Sequence, residues 1–287
     1  MVIIANSPGR LCNRLFLFGH FIANAVEHKY DLINLDFNEY CCCFPATRLN
    51  TFESYKVSVQ RSPFGLRRAA FFAGRLIGRT LPVSPLHEIM QVDDDEFFDL
   101  GSPSFVNKAK RKLCVVTKGY EMRDHAMFVK HSELLRRIFT PNADTCSAVI
   151  NRMNTLRTTS GTIVVGVHIR RGDYANYNRG KYFYSTEIYR RKMQELTASL
   201  GRDEEKAIRF LICSDERIDL IDFGGMDVTV SASSPVVDLY SLAKCDLIIG
   251  PPSSFSMWAS FYGKVPVAHI NDPLKPLRHE MFSTVTS

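Results

Sequence analysis

Short aliphatic runs recur along this chain with one helix-length polar or amphipathic stretch between each pair. In the second half, residues 162–169, 207–213 and 247–249 read as strands, and 186–200, 236–244 and 254–262 read as helices. The first half opens in the same way. Residues 2–5 form a buried-strand signal and Asn6-Ser7-Pro8-Gly9 a dense turn. From Asn13 the pattern becomes helical, with Phe18, Phe21, Ile22, Ala25 and Val26 on one face, before a strand at 32–35. Residues 112–117 read as a further strand, and 131–139 as a helix that stops at Thr140-Pro141. Strands separated by helices cannot pair through tight hairpins, so they form parallel sheets with helices against their faces. The expected class is therefore α/β.

Length turns that pattern into two units. A chain of 287 residues fits about two domains at roughly 150 residues each. The stretch 155–161 is polar and poor in hydrophobes. This places the expected boundary there, with residues 1–157 as one Rossmann-like layer and 158–287 as the other. Apolar residues make up 45% and charged residues 23%, a globular mixture that excludes a fibrous, disordered or disulfide-knotted chain. No apolar run approaches the ~20 residues that span a bilayer, and the N-terminus lacks a secretory signal pattern. The chain is expected to be cytoplasmic.

Eight cysteines are present, none in a C-x-x-C pair, and three of them (Cys41, Cys42, Cys43) are consecutive. Consecutive thiols make poor metal-ligand geometry, so reduced thiols serving as small hydrophobes are expected. The phosphate-binding P-loop, the dinucleotide glycine fingerprint, the zincin motif and the nucleophile elbow are all missing from the sequence.

The net charge of +6 invites an anionic partner, and its distribution narrows the choice. Residues 61–80 hold five arginines and no acid, interleaved with phenylalanines. Such a segment packs its phenylalanines on a core, or lies as a basic amphipathic helix (64–79) on the inner membrane face. The sharper cluster is His168-Ile169-Arg170-Arg171-Gly172-Asp173-Tyr174, which emerges from a strand. In open parallel sheets, ligands bind beyond the carboxyl ends of strands. Alternation sends His168 and Arg170 to one side and Arg171 to the other. Arg170 can then grip a phosphate with its planar fork, unless the arginines only bridge neighbouring carboxylates. Two more strand exits carry polar loops. Ser214-Asp215-Glu216 offers a carboxylate to a base or to the next helix as a cap. Ser253-Ser254-Phe255 offers hydroxyl and backbone N–H groups at a helix start, where an anion or a capping bond is favoured. In the first half, Gly9-Arg10-Leu11-Cys12-Asn13-Arg14 occupies the equivalent edge.

These segments occur together and in order, and the chain resembles the inverting fucosyltransferases that use GDP-fucose. It is most similar to the bacterial α1,2-fucosyltransferases and more distantly similar to the α1,6- and protein O-fucosyltransferases. The resemblance rests on GRLCN at 9–13, Gly119-Tyr120 with Phe128, LRRIFTP at 135–141 and HIRRGDY at 168–174. It continues through CSDE at 213–216, DLYSLAKC at 238–245 and SSFSMWA at 253–259. Cys12 stands where the family usually carries glycine, and Arg14 where α1,2 enzymes often carry glutamine.

The resemblance implies a GT-B arrangement of two facing Rossmann-like domains, the N-terminal one on the acceptor side and the C-terminal one binding the nucleotide sugar. It implies transfer of L-fucose to a glycan hydroxyl, in α1,2 linkage to a galactoside, with inversion and with no metal or other cofactor. Arg170 would hold the donor pyrophosphate with His168 and Arg171 beside it, and Asp215 would read guanine. Ser253, Ser254 and Phe255 would line the phosphate site, and Gly9, Arg10 and Asn13 would reach the donor from the first domain. Asp173 is the candidate general base beside Arg170.

Other readings remain open at this level. They are a fucosyltransferase of different linkage or acceptor, a non-catalytic nucleotide- or nucleic-acid-binding protein, and a metal-dependent sugar transferase using the D-x-D in Asp93-Asp94-Asp95. Because the basic stretches lack exposed interleaved aromatics of the strand-binding kind, nucleic acid is not an expected partner.

Overall fold

The computed structural model describes residues 1–6, 9–49, 57–59, 87–93, 96–200 and 207–287. The expected helix over 64–79, the basic stretch 61–80 and Asp94-Asp95 lie outside them. The chain divides into two compact units, Met1–Asn142 with Ser287, and Ala143–Thr286.

In the first unit, five parallel strands pair in the order β3-β2-β1-β6-β4. They are β1 (Val2–Asn6), β2 (Leu32–Asn34), β3 (Val57–Val59), β4 (His87–Gln91) and β6 (Cys114–Lys118). A second, two-stranded parallel sheet joins β5 (Phe98–Asp99) to β7 (Met122–Arg123). Val2 registers with Leu32 on one side and Val115 on the other, and all three are buried. Strands covered on both faces read as continuous hydrophobic runs, which is why β1 was legible as a strand. Helix α1 (Leu11–His28) follows β1 and buries an almost unbroken stretch from Leu15 to Val26. Gly19 lets the Phe128 ring approach it closely, since a Cβ there would stand 2.7 Å from the ring. Phe18, Phe37, Phe44 and Phe139 pack into one aromatic cluster with centroids 5.2–6.0 Å apart. The unit is completed by helices α2 (Pro103–Arg111), α3 (His125–Lys130) and α4 (Ser132–Ile138). The helix expected over 131–139 is α4, and α3 precedes it across His131.

The second unit repeats the plan with α5 (Ala143–Leu156), β8 (Ile163–Ile169), α6 (Thr186–Leu200), β9 (Ile208–Ser214), β10 (Val228–Val230), α7 (Pro235–Leu242), β11 (Leu247–Gly250), α8 (Ser254–Gly263) and β12 (Val267–His269). Its parallel sheet runs β10-β9-β8-β11-β12, so β8 is central. Val164, Val165, Val167 and Ile169 of β8 are fully buried on both faces. The division falls at Asn142/Ala143, not at 157/158. Helix α5 belongs to the second unit because it packs on α7, with Arg152 paired to Asp238 at 3.0 Å and donating to Ser241 Oγ at 3.2 Å. These are two Rossmann-like α/β units with parallel sheets, as the GT-B class requires.

All eight cysteines are free thiols, and Cys12, Cys41, Cys213 and Cys245 are buried as small hydrophobes. Cys42 departs from that expectation and is exposed. No described helix is long and apolar enough to cross a membrane.

Candidate functional site

The carboxyl ends of β8, β9, β11 and β12 gather most of the polar residues singled out from sequence. Arg170 leaves β8 and is clamped between two carboxylates, with Nη2 2.7 Å from Asp173 Oδ1 and Nη1 3.1 Å from Asp215 Oδ2. Asp215 follows β9, whose residues register against β8 from Ile163↔Ile208 to Ile169↔Ser214. That pairing sets the end of β9 beside the end of β8. The second oxygen of Asp215 accepts the Arg171 backbone N–H at 2.9 Å. Gly172 leaves room for this carboxylate, because a Cβ at 172 would stand 2.7 Å from Asp215 Oδ2.

The two arginines divide their labour as strand alternation suggested. The Arg171 guanidinium turns to the loop before α6, where it donates to the Tyr184 carbonyl at 3.2 Å and to the Thr186 hydroxyl. These bonds brace that loop. Asp215, expected to face a base, meets Arg170 with one oxygen and the Arg171 N–H with the other.

His168 precedes Arg170 on β8 and is buried, its ring stacked on Phe255 at 4.8 Å. Burial, reinforced by the charge of Arg170 and by His269, pushes its pKa down to about 3, so the ring is neutral near pH 7. Its buried Nδ1 has no hydrogen-bond partner among the described residues. Close approach of β11 to β8 depends on Gly250, where a Cβ would stand 2.7 Å from the His168 carbonyl oxygen.

After β11 the chain passes through Pro251-Pro252 into α8. Ser253 is the N-cap, its Oγ accepting the Phe255 N–H at 3.2 Å, and Ser254 is the first helical residue. A ten-residue helix directs the positive end of its dipole toward this edge. The capping alternative for Ser253 is thus realised, and it coexists with the anion-attracting helix start.

Two features went unremarked in the sequence reading. Tyr174 is buried, its ring lies 5.8 Å below the Arg170 guanidinium carbon, and its hydroxyl donates to the Pro252 carbonyl at 2.5 Å. It thereby ties the arginine loop to the loop entering α8. Ser256 Oγ donates to the Ser253 carbonyl at 3.0 Å and lies 3.2 Å from His269 Nε2. The only sequence signal for Tyr174 was its place at the end of the heptapeptide, and β12, which carries His269, is just three residues long.

Gly9, Arg10 and Asn13 come together in the first unit, where β1 gives way to α1. Gly9 takes a φ of +85°, a value that glycine adopts without strain. Arg14 fixes the turn by donating to the Gly9 carbonyl at 3.1 Å and the Asp36 carbonyl at 3.1 Å. Asn13 Oδ1 accepts from the Tyr120 hydroxyl at 3.3 Å, and Arg10 is exposed. No group of three or more metal-ligating side chains occurs among the described residues.

Several solved structures share this fold. The FUT1 protein of Arabidopsis thaliana, as a variant in complex with GDP, matches with a TM-score of 0.63 at 12% identity, over 99% of this chain and 72% of that one. The fucosyltransferase NodZ from Bradyrhizobium matches with a TM-score of 0.59 at 15% identity, over 96% of each chain. POFUT1 in complex with GDP-fucose matches with a TM-score of 0.56 at 10% identity, over 91% of this chain and 93% of that one. No curated protein sequence matches the chain. The model of the family described as glycosyl transferase family 11 matches residues 115–275, more than half of the chain and nearly all of the site-bearing unit. The chain belongs to glycosyl transferase family 11.

Proposed function

We propose that the protein transfers L-fucose from GDP-fucose to a glycan hydroxyl, in α1,2 linkage to a galactoside, with inversion and without a metal ion. The observation that carries this reading is the Arg170 guanidinium, held at the exit of β8 by Asp173 and Asp215 beside the loop that starts α8. Departure of GDP leaves negative charge on its phosphates. A fixed guanidinium and the N-terminal amides of α8 stabilise that charge without solvent reorganisation, a task otherwise given to a divalent ion. The fold shared with FUT1, NodZ and POFUT1, each of which has a structure with GDP or GDP-fucose, supports the choice of donor.

Asp173 supplies the base in this scheme. It is half exposed, and a phosphate oxygen competing for Arg170 Nη2 would free its carboxylate to take the proton of the attacking hydroxyl. Attack from the face opposite the leaving phosphate inverts the anomeric carbon. Asp215 keeps Arg170 in place during the exchange through its second contact at Nη1. His168, Ser253, Ser254 and Phe255 line the donor site in the second unit.

Thermal shift in excess EDTA against a panel of nucleotide sugars tests the donor. GDP-fucose and GDP should raise Tm while UDP- and CMP-sugars leave it unchanged. Stabilisation that required a divalent ion, or that favoured a UDP-sugar, would contradict the proposal.

A further inference from the structure

The loop between β11 and α8 contains two consecutive prolines, Pro251 and Pro252. Neither has a backbone N–H, so they cannot secure the loop by donating main-chain bonds. Its supports come from other elements. The Tyr174 hydroxyl holds the Pro252 carbonyl in the middle of the loop. His269, the last residue of β12, holds both ends. It registers with Gly250, where the loop begins, and the following N–H, of Ile270, donates to the Gly250 carbonyl at 2.8 Å. Its ring meanwhile reaches the first turn of α8, with Nε2 3.2 Å from the Ser256 hydroxyl. Ser256 is fully buried. Its single hydroxyl proton goes to the Ser253 carbonyl at 3.0 Å, which leaves only lone pairs for His269. Both contacts are hydrogen bonds at once only when His269 Nε2 carries a proton. Burial lowers the His269 pKa from its ordinary value of 6.5, so the ring is neutral near pH 7 and has one N–H to place.

We propose that His269 is a positioning residue for the donor phosphates, donating from Nε2 to Ser256 so that the chain His269–Ser256–Ser253 sets the entry of α8. This inference rests on the GDP-fucose reading above. The Ser253 carbonyl belongs to the planar peptide that opens the helix. A bond that fixes this carbonyl therefore fixes the first peptide of α8, and with it the positive end of the dipole that the phosphates would meet. A second observation marks the same turn as a ligand site. The His168 ring stacks on Phe255, the residue before Ser256, and its buried Nδ1 has no hydrogen-bond partner among the described residues. His269 acts through Ser256 and does not touch the donor.

The test is GDP binding by calorimetry, together with nitrogen-15 NMR of the histidine rings in the wild-type chain. His269→Ala should weaken GDP binding about fivefold, the worth of one hydrogen bond. His269→Gln, whose side-chain amide donates from nearly the same place as Nε2, should restore it. Ser256→Ala should match His269→Ala, and the double variant should bind no more weakly than either, because both break one chain. The NMR spectrum, which needs no folded variant, should show the His269 proton on Nε2. A proton on Nδ1 would overturn the proposal. Unchanged GDP affinity in folded His269→Ala would also overturn it and leave the donor reading standing. A loss that His269→Gln fails to rescue would do the same, because the ring would then serve packing alone. Absence of GDP binding by the wild-type chain would remove the donor reading and this proposal with it.

Discussion

Arg170 and Asp215 form a clasp between neighbouring strand ends, with the guanidinium Nη1 3.1 Å from Oδ2 and the other carboxylate oxygen fixed by the Arg171 N–H at 2.9 Å. Both side chains are largely buried. A hydrogen bond to a charged partner is worth about 1.5–3 kcal/mol. Asp215→Asn keeps the shape and loses the charge, so kcat/KM should fall about ten- to a hundredfold with a folded protein by circular dichroism. Wild-type kinetics would show that Asp215 does not position Arg170.

Tyr174 joins the arginine loop to the entry of α8 through its bond to the Pro252 carbonyl. Tyr174→Phe retains the buried ring and deletes one hydrogen bond, a loss of about 1 kcal/mol. Denaturant unfolding should report that loss, and GDP affinity should drop about fivefold as the two loops lose registration. If stability falls and GDP affinity does not, the clasp holds the fold alone.

How much of this was legible in the sequence depends on the element. Strands β8, β9 and β11 carry apolar runs whose centres are buried on both faces, and α6 appeared with the bounds it has in the structure, Thr186–Leu200. Helix α5 was not seen. Its buried stripe is Thr145, Val149, Met153 and Leu156, interrupted by Cys146, Ser147, Asn151 and Asn154, which blur a 3.6-residue period. The domain boundary was consequently placed too late. Arg170 could be located because strand exits are where parallel sheets bind ligands. Alternation gave the side to which Arg171 turns but not its partner, a carbonyl at Tyr184, thirteen residues away.

Gly250 permits β11 to approach the His168 carbonyl. Gly250→Ala places a methyl group against backbone that cannot move without shifting the central strand. Overpacking of this kind costs about 1–3 kcal/mol, which chemical denaturation should detect as a lower midpoint with unchanged slope. An unaltered midpoint would mean that the two strand ends can separate freely.

The buried His168 makes stability pH-dependent. Its folded pKa of about 3 lies below its ordinary value of 6.5. Above pH 6.5 the ring is neutral in both states and its burial costs nothing in protons. From pH 6.5 down to about 3, the unfolded chain binds a proton that the folded one refuses. Stability therefore falls with acidification by up to about 1.4 kcal/mol per pH unit. His168→Asn should flatten this slope between pH 6.5 and 4. An identical slope would assign the acid sensitivity to other groups.

The central claim is that Arg170 carries the charge of the departing nucleotide. Its most direct measurement is transfer from GDP-fucose to a galactoside by wild type, Arg170→Ala and Arg170→Lys, with GDP affinity measured alongside. Loss of a fixed charge-stabilising donor costs about 10²–10³ in kcat. Arg170→Ala should lose at least that much and bind GDP more weakly, and Arg170→Lys should recover little, because an ammonium lacks the planar fork that holds Asp215 with one nitrogen and a phosphate with the other. Wild-type turnover by folded Arg170→Ala would contradict the claim.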